Sequence, residues 1–346
     1  MAPIGVALIG GGIFVKEEHL PGVLACETLA LKAIYSRSLK SAQDTASLVP
    51  SSHPPVDLYS EDSGEGKSYD DVLKRTDVAA VIIALPIRNQ PEYIKKALAA
   101  GKHVLSEKPA APDSAAAVEL IKWYHGISAE KRVTWAVAEQ FRYLDKYVWA
   151  GQEARKLGKV TGFVVKVFYM MKPDNKYVGT DWRRNPTHDY GFVLDAGVHW
   201  VAAMRLMLGD ETVESVMGFS HTGTQHLPPP DSLHGVLRLK SGAAGSFLCS
   251  VGSTFAAQDY TVICEKGSVT VSRDRVTLVS GTDREDKDFE FRSAVPIEIR
   301  AWADAMAAGK PDPRQSPEEA LADLELLEGL LKSAEKEGER RYLKHQ

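Results

Sequence analysis

Ile4-Gly5-Val6-Ala7-Leu8-Ile9-Gly10-Gly11-Gly12 is the stretch that decides the fold. Through Ile9 it is apolar and β-branched enough to read as a buried strand, and the glycines then stop it. A helical pattern follows from about Val15 to Ala25. Strand, glycine turn and helix in that order are the setting in which a glycine motif signifies a dinucleotide site. Gly10 would make the tight turn, and Gly12 would let a pyrophosphate approach the free amides at the helix start. The third glycine of G-x-G-x-x-G is Val15 here, which implies a slightly displaced helix rather than a lost site. The plain alternative is an ordinary βα turn.

Outward from that turn, strands and helices alternate. Leu31 to Tyr35 reads as the second strand, and Ser36-Arg37-Ser38 follows it. An NAD enzyme usually carries an acid at this point to receive the ribose hydroxyls, whereas arginine and hydroxyls suit a 2′-phosphate. The nearest acid in sequence is Asp44, so the pattern favours NADP over NAD. Solvated surface charge is the other explanation for Arg37 and Lys40. Residues 51–67 read as loop with a short strand near Val56–Tyr59, then a short helix at Tyr69–Arg75. Val78 to Ala84 is a buried strand ending at Leu85-Pro86, and a helix from about Gln90 to Ala100 is closed by Gly101.

Gly101-Lys102-His103-Val104-Leu105-Ser106-Glu107-Lys108-Pro109 then sets a lysine at the carboxyl end of a buried strand. Ligands of open α/β sheets bind outside those strand ends. A helix from about Asp113 to Tyr124 and a strand from Val133 to Val137 complete a doubly wound parallel sheet. The first domain is expected over 1–140.

From about Lys159 the pattern changes to closely spaced strand candidates joined by Ser241-Gly242, Lys266-Gly267 and Arg273-Asp274. These predict an open, mainly antiparallel sheet in an α+β domain over 141–346. Helices are expected at Asp195–Leu208, Ile297–Ala308 and Pro317–Glu337, and the last ten residues read as a polar tail. Asp195 and His199, four apart, share a helix face, where a carboxylate can orient an imidazole that passes a proton. An ordinary helix acid and helix histidine would look the same. His188 falls in a loop where simple hydration is as good an explanation, and His19 has no evident partner. No cluster has metal-ligand spacing.

Composition narrows the function class. The chain is 346 residues long, 44% hydrophobic and 25% charged, with formal net charge −4. That length suits two domains, and the dispersed charge gives no electrostatic case for nucleic acid or membrane as a partner. No long apolar run or leader pattern is read in the sequence. Cys26, Cys249 and Cys264 are widely spaced in apolar context and read as quiet core thiols in a reducing cytoplasm.

Together these pieces resemble the glucose–fructose oxidoreductase, inositol dehydrogenase and MocA family. The resemblance rests on Gly10-Gly11-Gly12, Ala84-Leu85-Pro86, the run Ala99 to Pro109, Arg142-Tyr143, Trp182-Arg183 and Gly191 through Asp195-Ala196-Gly197-Val198-His199. Gly12-Ile13-Phe14, Ser36-Arg37 and Asn175-Lys176-Tyr177 look like a fungal NADP-dependent branch. The resemblance implies hydride transfer between NADP(H) and a carbonyl or secondary alcohol of a small, carbohydrate-like compound. It implies Lys108, Asp195 and His199 as catalytic groups over the nicotinamide, with either Lys108 or His199 passing the proton and Asp195 orienting the imidazole. Cofactor contacts are implied at Gly10, Gly12, Ile13, Phe14, Ser36, Arg37, Ser38, Leu85, Pro86, Asn89, Glu107, Lys108, Trp182 and Arg183. A homodimer through the second domain's sheet is implied too. Ile87 and Gln90 stand where the family has Asn and His, and Asp189-Tyr190-Gly191 stands for its three glycines. The alternatives are a catalytically silent NADP-binding regulator, or an enzyme that retains a transiently oxidised cofactor.

Overall fold

A computed structural model describes residues 2–346. β1 (Ile4–Ile9) passes through the glycine turn into a π-helical turn over Val15–His19 and then α1 (Leu20–Leu24). There follow β2 (Leu29–Ser36), α2 (Leu39–Ala46), β3 (Asp57–Ser60), α3 (Tyr69–Leu73), β4 (Ala80–Ile83), α4 (Gln90–Ala99), β5 (His103–Glu107), α5 (Ser114–Lys131) and β6 (Trp135–Ala138). The strands lie parallel in the order β3-β2-β1-β4-β5-β6. This is the expected doubly wound sheet, reversing direction between β1 and β4. Val6–Ile9 and Ala80–Ile83 are buried on both faces, which is why they read as unbroken apolar runs. Side chains of Ser38, Ser68 and Asp113 cap α2, α3 and α5 by accepting orphan backbone N–H groups.

The chain continues with α6 (Asp145–Lys156), β7 (Val160–Met170), α7 (Asp181–Arg184), α8 (Gly191–Leu208), β8 (Val213–His221), β9 (Ser232–Leu239), β10 (Ala244–Ser250) and β11 (Gly252–Cys264). Then come β12 (Gly267–Ser272), β13 (Arg275–Ser280), β14 (Asp283–Asp288), α9 (Val295–Ala308), α10 (Pro317–Ala334) and β15 (Arg341–Tyr342). The nine-stranded sheet runs β14-β13-β12-β11-β7-β10-β9-β8-β15. Only the β7–β10 pair is parallel, so the sheet is mainly antiparallel as expected. α8 is long and apolar enough to cross a bilayer by composition alone, but most of it is buried as a core helix.

Besides the short α7, three elements go beyond the sequence reading. α6 carries too many charges to announce itself, yet it buries Tyr147, Ala150 and Ala154. β14 is exposed throughout and has no apolar alternation; its ladder with β13 and the Arg275–Asp288 pair (2.7 Å) support it. β15 turns the apparent tail into a strand paired with β8.

The fold divides into two compact units. One comprises the residues up to Gln140 with Ser293–Ala320, and the other Phe141–Arg292 with Leu321–Gln346. Ser293–Ala320 was expected with the second domain, but Val295, Ile299, Trp302 and Ala303 of α9 join the core of Leu20, Val23 and Leu31. Gly22 permits this close approach, since a Cβ there would meet Ile299 Cδ1 at 2.6 Å. All three cysteines are buried and free.

Candidate functional site

In the first unit the glycine turn closes β1. Gly10 has φ of +135°, and a Cβ on it would lie 2.4 Å from the Ala84 carbonyl oxygen, so only glycine fits. Gly11 packs on α2, where a Cβ would meet Ser41 Oγ at 2.4 Å, and that hydroxyl donates to the Gly11 carbonyl (3.1 Å). Gly12 is different: it is exposed, and a Cβ there would meet nothing within 4 Å. Open space at the third glycine, with a helical turn beginning behind it, fits the approach of a pyrophosphate. Ile13 and Phe14 are half-buried beside it. Val15, in place of glycine, is buried and begins a π turn over Val15–His19.

At the end of β2, Ser36 is buried, Arg37 is exposed, and Ser38 spends its hydroxyl oxygen accepting the Ser41 N–H. The sequence reading missed an acid here. Asp62, beyond β3, accepts from Leu39 N (2.7 Å) and from Ser60 Oγ (2.6 Å). Those bonds hold its carboxyl below the usual range, the Ser60 hydroxyl contributing most. Parallel pairing of β2 with β3 brings it there, whereas sequence distance points to Asp44. Nearby, Tyr35 hydrogen-bonds Glu61 and Tyr93 and packs on Tyr69. At the end of β4, Leu85 and Pro86 are half-buried, Asn89 is exposed, and Gln90 is buried with neither amide atom hydrogen-bonded within the protein.

The Gly101–Pro109 run divides its labour. Lys102 is buried and donates to the carbonyls of Arg75 (2.6 Å) and Val78 (2.7 Å); burial depresses its pKa. His103 Nδ1 accepts from Thr134 N (3.1 Å), and Ser106 Oγ accepts from Trp135 Nε1 (3.0 Å). Glu107 Oε1 lies 2.8 Å from His19 Nε2, a partnership the sequence did not reveal because the two residues are 88 apart in the chain. Lys108 then stands half-buried just past the carboxyl end of β5, before a cis peptide to Pro109.

In the second unit, α8 places Asp195 and His199 one turn apart. Asp195 Oδ2 accepts from Arg183 Nε (2.8 Å), a bond not anticipated. The Arg183 guanidinium also lies 4.0 Å from the Trp182 ring centroid, so Trp182, Arg183 and Asp195 form one cluster. His188, for which a role and simple hydration stood equally open, joins it. It is buried, its ring is 6.0 Å from that of Trp182, and burial pulls its pKa below the usual range against the opposing pull of Asp195. His199 stacks on Phe141 at 4.8 Å and 17°. Gly191 begins α8 against Pro228, where a Cβ would have only 3.0 Å. The 223–231 loop is tied by Asp231, which accepts from Gly223 N, Thr224 N and Thr224 Oγ1. No metal-holding cluster occurs among the described residues.

Known proteins share this architecture. Residues 4–132 match an oxidoreductase family domain described as an NAD-binding Rossmann fold, and residues 153–341 match that family's C-terminal alpha/beta domain. The chain is 38% identical over 352 residues to dehydrogenase FPY6 of Fusarium mangiferae, covering 99% of each. It is 26% identical to D-xylose 1-dehydrogenase (NADP(+)) 2 of Haloferax volcanii, over 91% of this chain and 97% of that one. The crystal structure of an oxidoreductase from Thermotoga maritima matches with a TM-score of 0.85 at 28% identity, covering 98% of both chains.

Proposed function

We propose that this chain, which belongs to the Gfo/Idh/MocA oxidoreductase family, is an NADP(H)-dependent enzyme that interconverts a carbonyl and a secondary alcohol. Its substrate is a sugar, a polyol or another small oxygenated compound. The observation that carries this reading is the position of Lys108, half-buried just past the carboxyl end of β5, where open α/β sheets bind their ligands.

Residues around Gly10, Gly12, Ile13, Phe14, Leu85, Pro86 and Asn89 would hold the dinucleotide, with Glu107, Trp182 and Arg183 toward its nicotinamide half. When bound, the nicotinamide supplies or takes up the hydride at C4. In reduction, the Lys108 ammonium polarises the substrate oxygen, and His199 gives the proton that converts it to a hydroxyl; oxidation runs both transfers backward. Asp195 would steer the imidazole from one helical turn away.

NADP is favoured by Arg37 and Ser36 at the end of β2, and by a relative whose name specifies NADP(+). A second copy of the chain would cover the sheet face bearing Met217, opposite Val236, and Phe219, opposite His234, since exposed apolar side chains line that face. Light scattering on the purified protein tests this: a monomer at working concentration would refute it. Buried, unpaired thiols support a cytoplasmic location.

The decisive experiment is a panel of aldoses, ketoses and polyols followed through NADPH absorbance, with Lys108→Ala in parallel. The variant should lose turnover by a factor of at least about 100 while binding NADPH normally, as expected for a group that acts mainly in the transition state. Full activity without the lysine would sink the assignment.

A further inference from the structure

His19 sits on the π turn that follows the glycines, and its side chain has no exposure at all. Its Nε2 lies 2.8 Å from Glu107 Oε1. An ionised carboxylate only accepts, so Nε2 carries the hydrogen and donates it. Nδ1 is buried and has no partner, which makes Glu107 the ring's polar anchor within the protein. Phe14 packs edge-on against the ring at 5.3 Å and 79°, fixing it from the apolar side. A charge-accepting bond of this length, with little water access, is among the stronger side-chain tethers.

We propose that His19 is a positioning residue that holds Glu107 and thereby fixes the end of β5 from which Lys108 projects. Glu107 is the residue immediately before Lys108, so restraining its side chain restrains the peptide that carries the lysine. Because His19 rides on the turn launched by Gly12, the same tether joins the dinucleotide loop to the catalytic strand. The proposal rests on the assignment of Lys108 above, and deepens it by naming what holds that lysine in register.

The test compares His19→Leu, His19→Gln, Glu107→Gln and the His19→Leu/Glu107→Gln double variant on the fastest substrate of the sugar and polyol panel. NADPH affinity is read separately by fluorescence. Expected are at least a tenfold fall in kcat for the Leu variant with NADPH affinity within threefold, substantial rescue by Gln, and a double variant no worse than its worse parent. Wild-type kcat in the Leu variant, or fully additive losses in the double, overturns the proposal. If the Leu variant does not fold, His19→Phe, which keeps an aromatic ring beside Phe14 but loses the bond to Glu107, decides in its place: wild-type kcat overturns the proposal. Imidazole 15N resonances give a substrate-free reading, since the His19 Nε2 signal must move in Glu107→Gln; an unmoved signal also overturns it. Should Lys108→Ala retain full turnover, the lysine assignment fails on its own, whatever the His19 variants do.

Discussion

Arg183 holds Asp195: the guanidinium Nε donates to carboxylate Oδ2 across 2.8 Å. The acid expected to serve an imidazole is thus also the anchor of a cation that packs on Trp182. Arg183→Leu would leave a mostly buried carboxylate without this partner and should cost about 2 kcal/mol in a denaturant melt. Adding Asp195→Asn should recover part of that loss. Two independent, additive losses would show that the pair does not act as a unit.

The glycine turn offers a contrast between two neighbours. Gly10→Ala forces a Cβ onto the Ala84 carbonyl at positive φ and should destabilise the protein by roughly 3 kcal/mol. Gly12→Ala meets no protein atom and should leave Tm within about 1 °C, while NADPH affinity falls about tenfold or more because the methyl fills the phosphate approach. Equal Tm for the two variants would contradict this division.

The proposed preference for NADP can be tested at Arg37 and Asp62. Arg37→Ala should weaken NADP binding about tenfold or more and barely affect NAD, since only the former carries the 2′-phosphate. Asp62→Asn removes a carboxylate from the start of α2 and should tighten NADP binding. Calorimetric titration with both dinucleotides reads the outcome, and equal losses for NAD and NADP in Arg37→Ala would refute the role given to that residue.

Gln90 is buried with both amide atoms unsatisfied by the protein. Gln90→Leu removes that burden at similar size, so the unliganded protein should be unchanged or stabilised by about 1 kcal/mol. A large drop in Tm would show that the amide has partners in solution.

Asp231 predicts a pH dependence. Burial opposes its charge, but bonds from Ser232, Thr224 and Gly223 outweigh that and hold its pKa below the ordinary 3.8. A carboxyl lowered by folding contributes stability in full above its unfolded pKa, and that contribution is lost as pH falls through the folded one. Asp231→Asn should therefore cost about 2 kcal/mol at pH 7, and the gap to wild type should close below about pH 4. A gap independent of pH would rule out the charge as its source.

Local chemistry explains what was legible. β1, β4 and β5 announce themselves because strands covered on both faces need continuous apolar sequence. Gly10 was readable because positive φ beside a neighbouring strand admits nothing else. By contrast, the Asp62–Leu39, His19–Glu107 and Arg183–Asp195 bonds join segments whose proximity is set by topology, and no periodicity encodes them. β14 was invisible because a ladder can hold a strand whose side chains are all solvated. Lys102 and His103 show the converse: a motif's most chemical-looking residues can be its scaffolding.

The return of α9 to the first unit bears on how the chain is made. Leu20 and Val23 emerge early from a ribosome, but Ile299 and Trp302, which cover them, emerge only after the whole second sheet. At a typical rate of about 5–20 residues per second, that apolar face stays open for roughly 15–60 s. The dinucleotide half is therefore the first to begin folding and among the last to close. A nascent chain halted before Val295 should need a holding chaperone although all six parallel strands already exist.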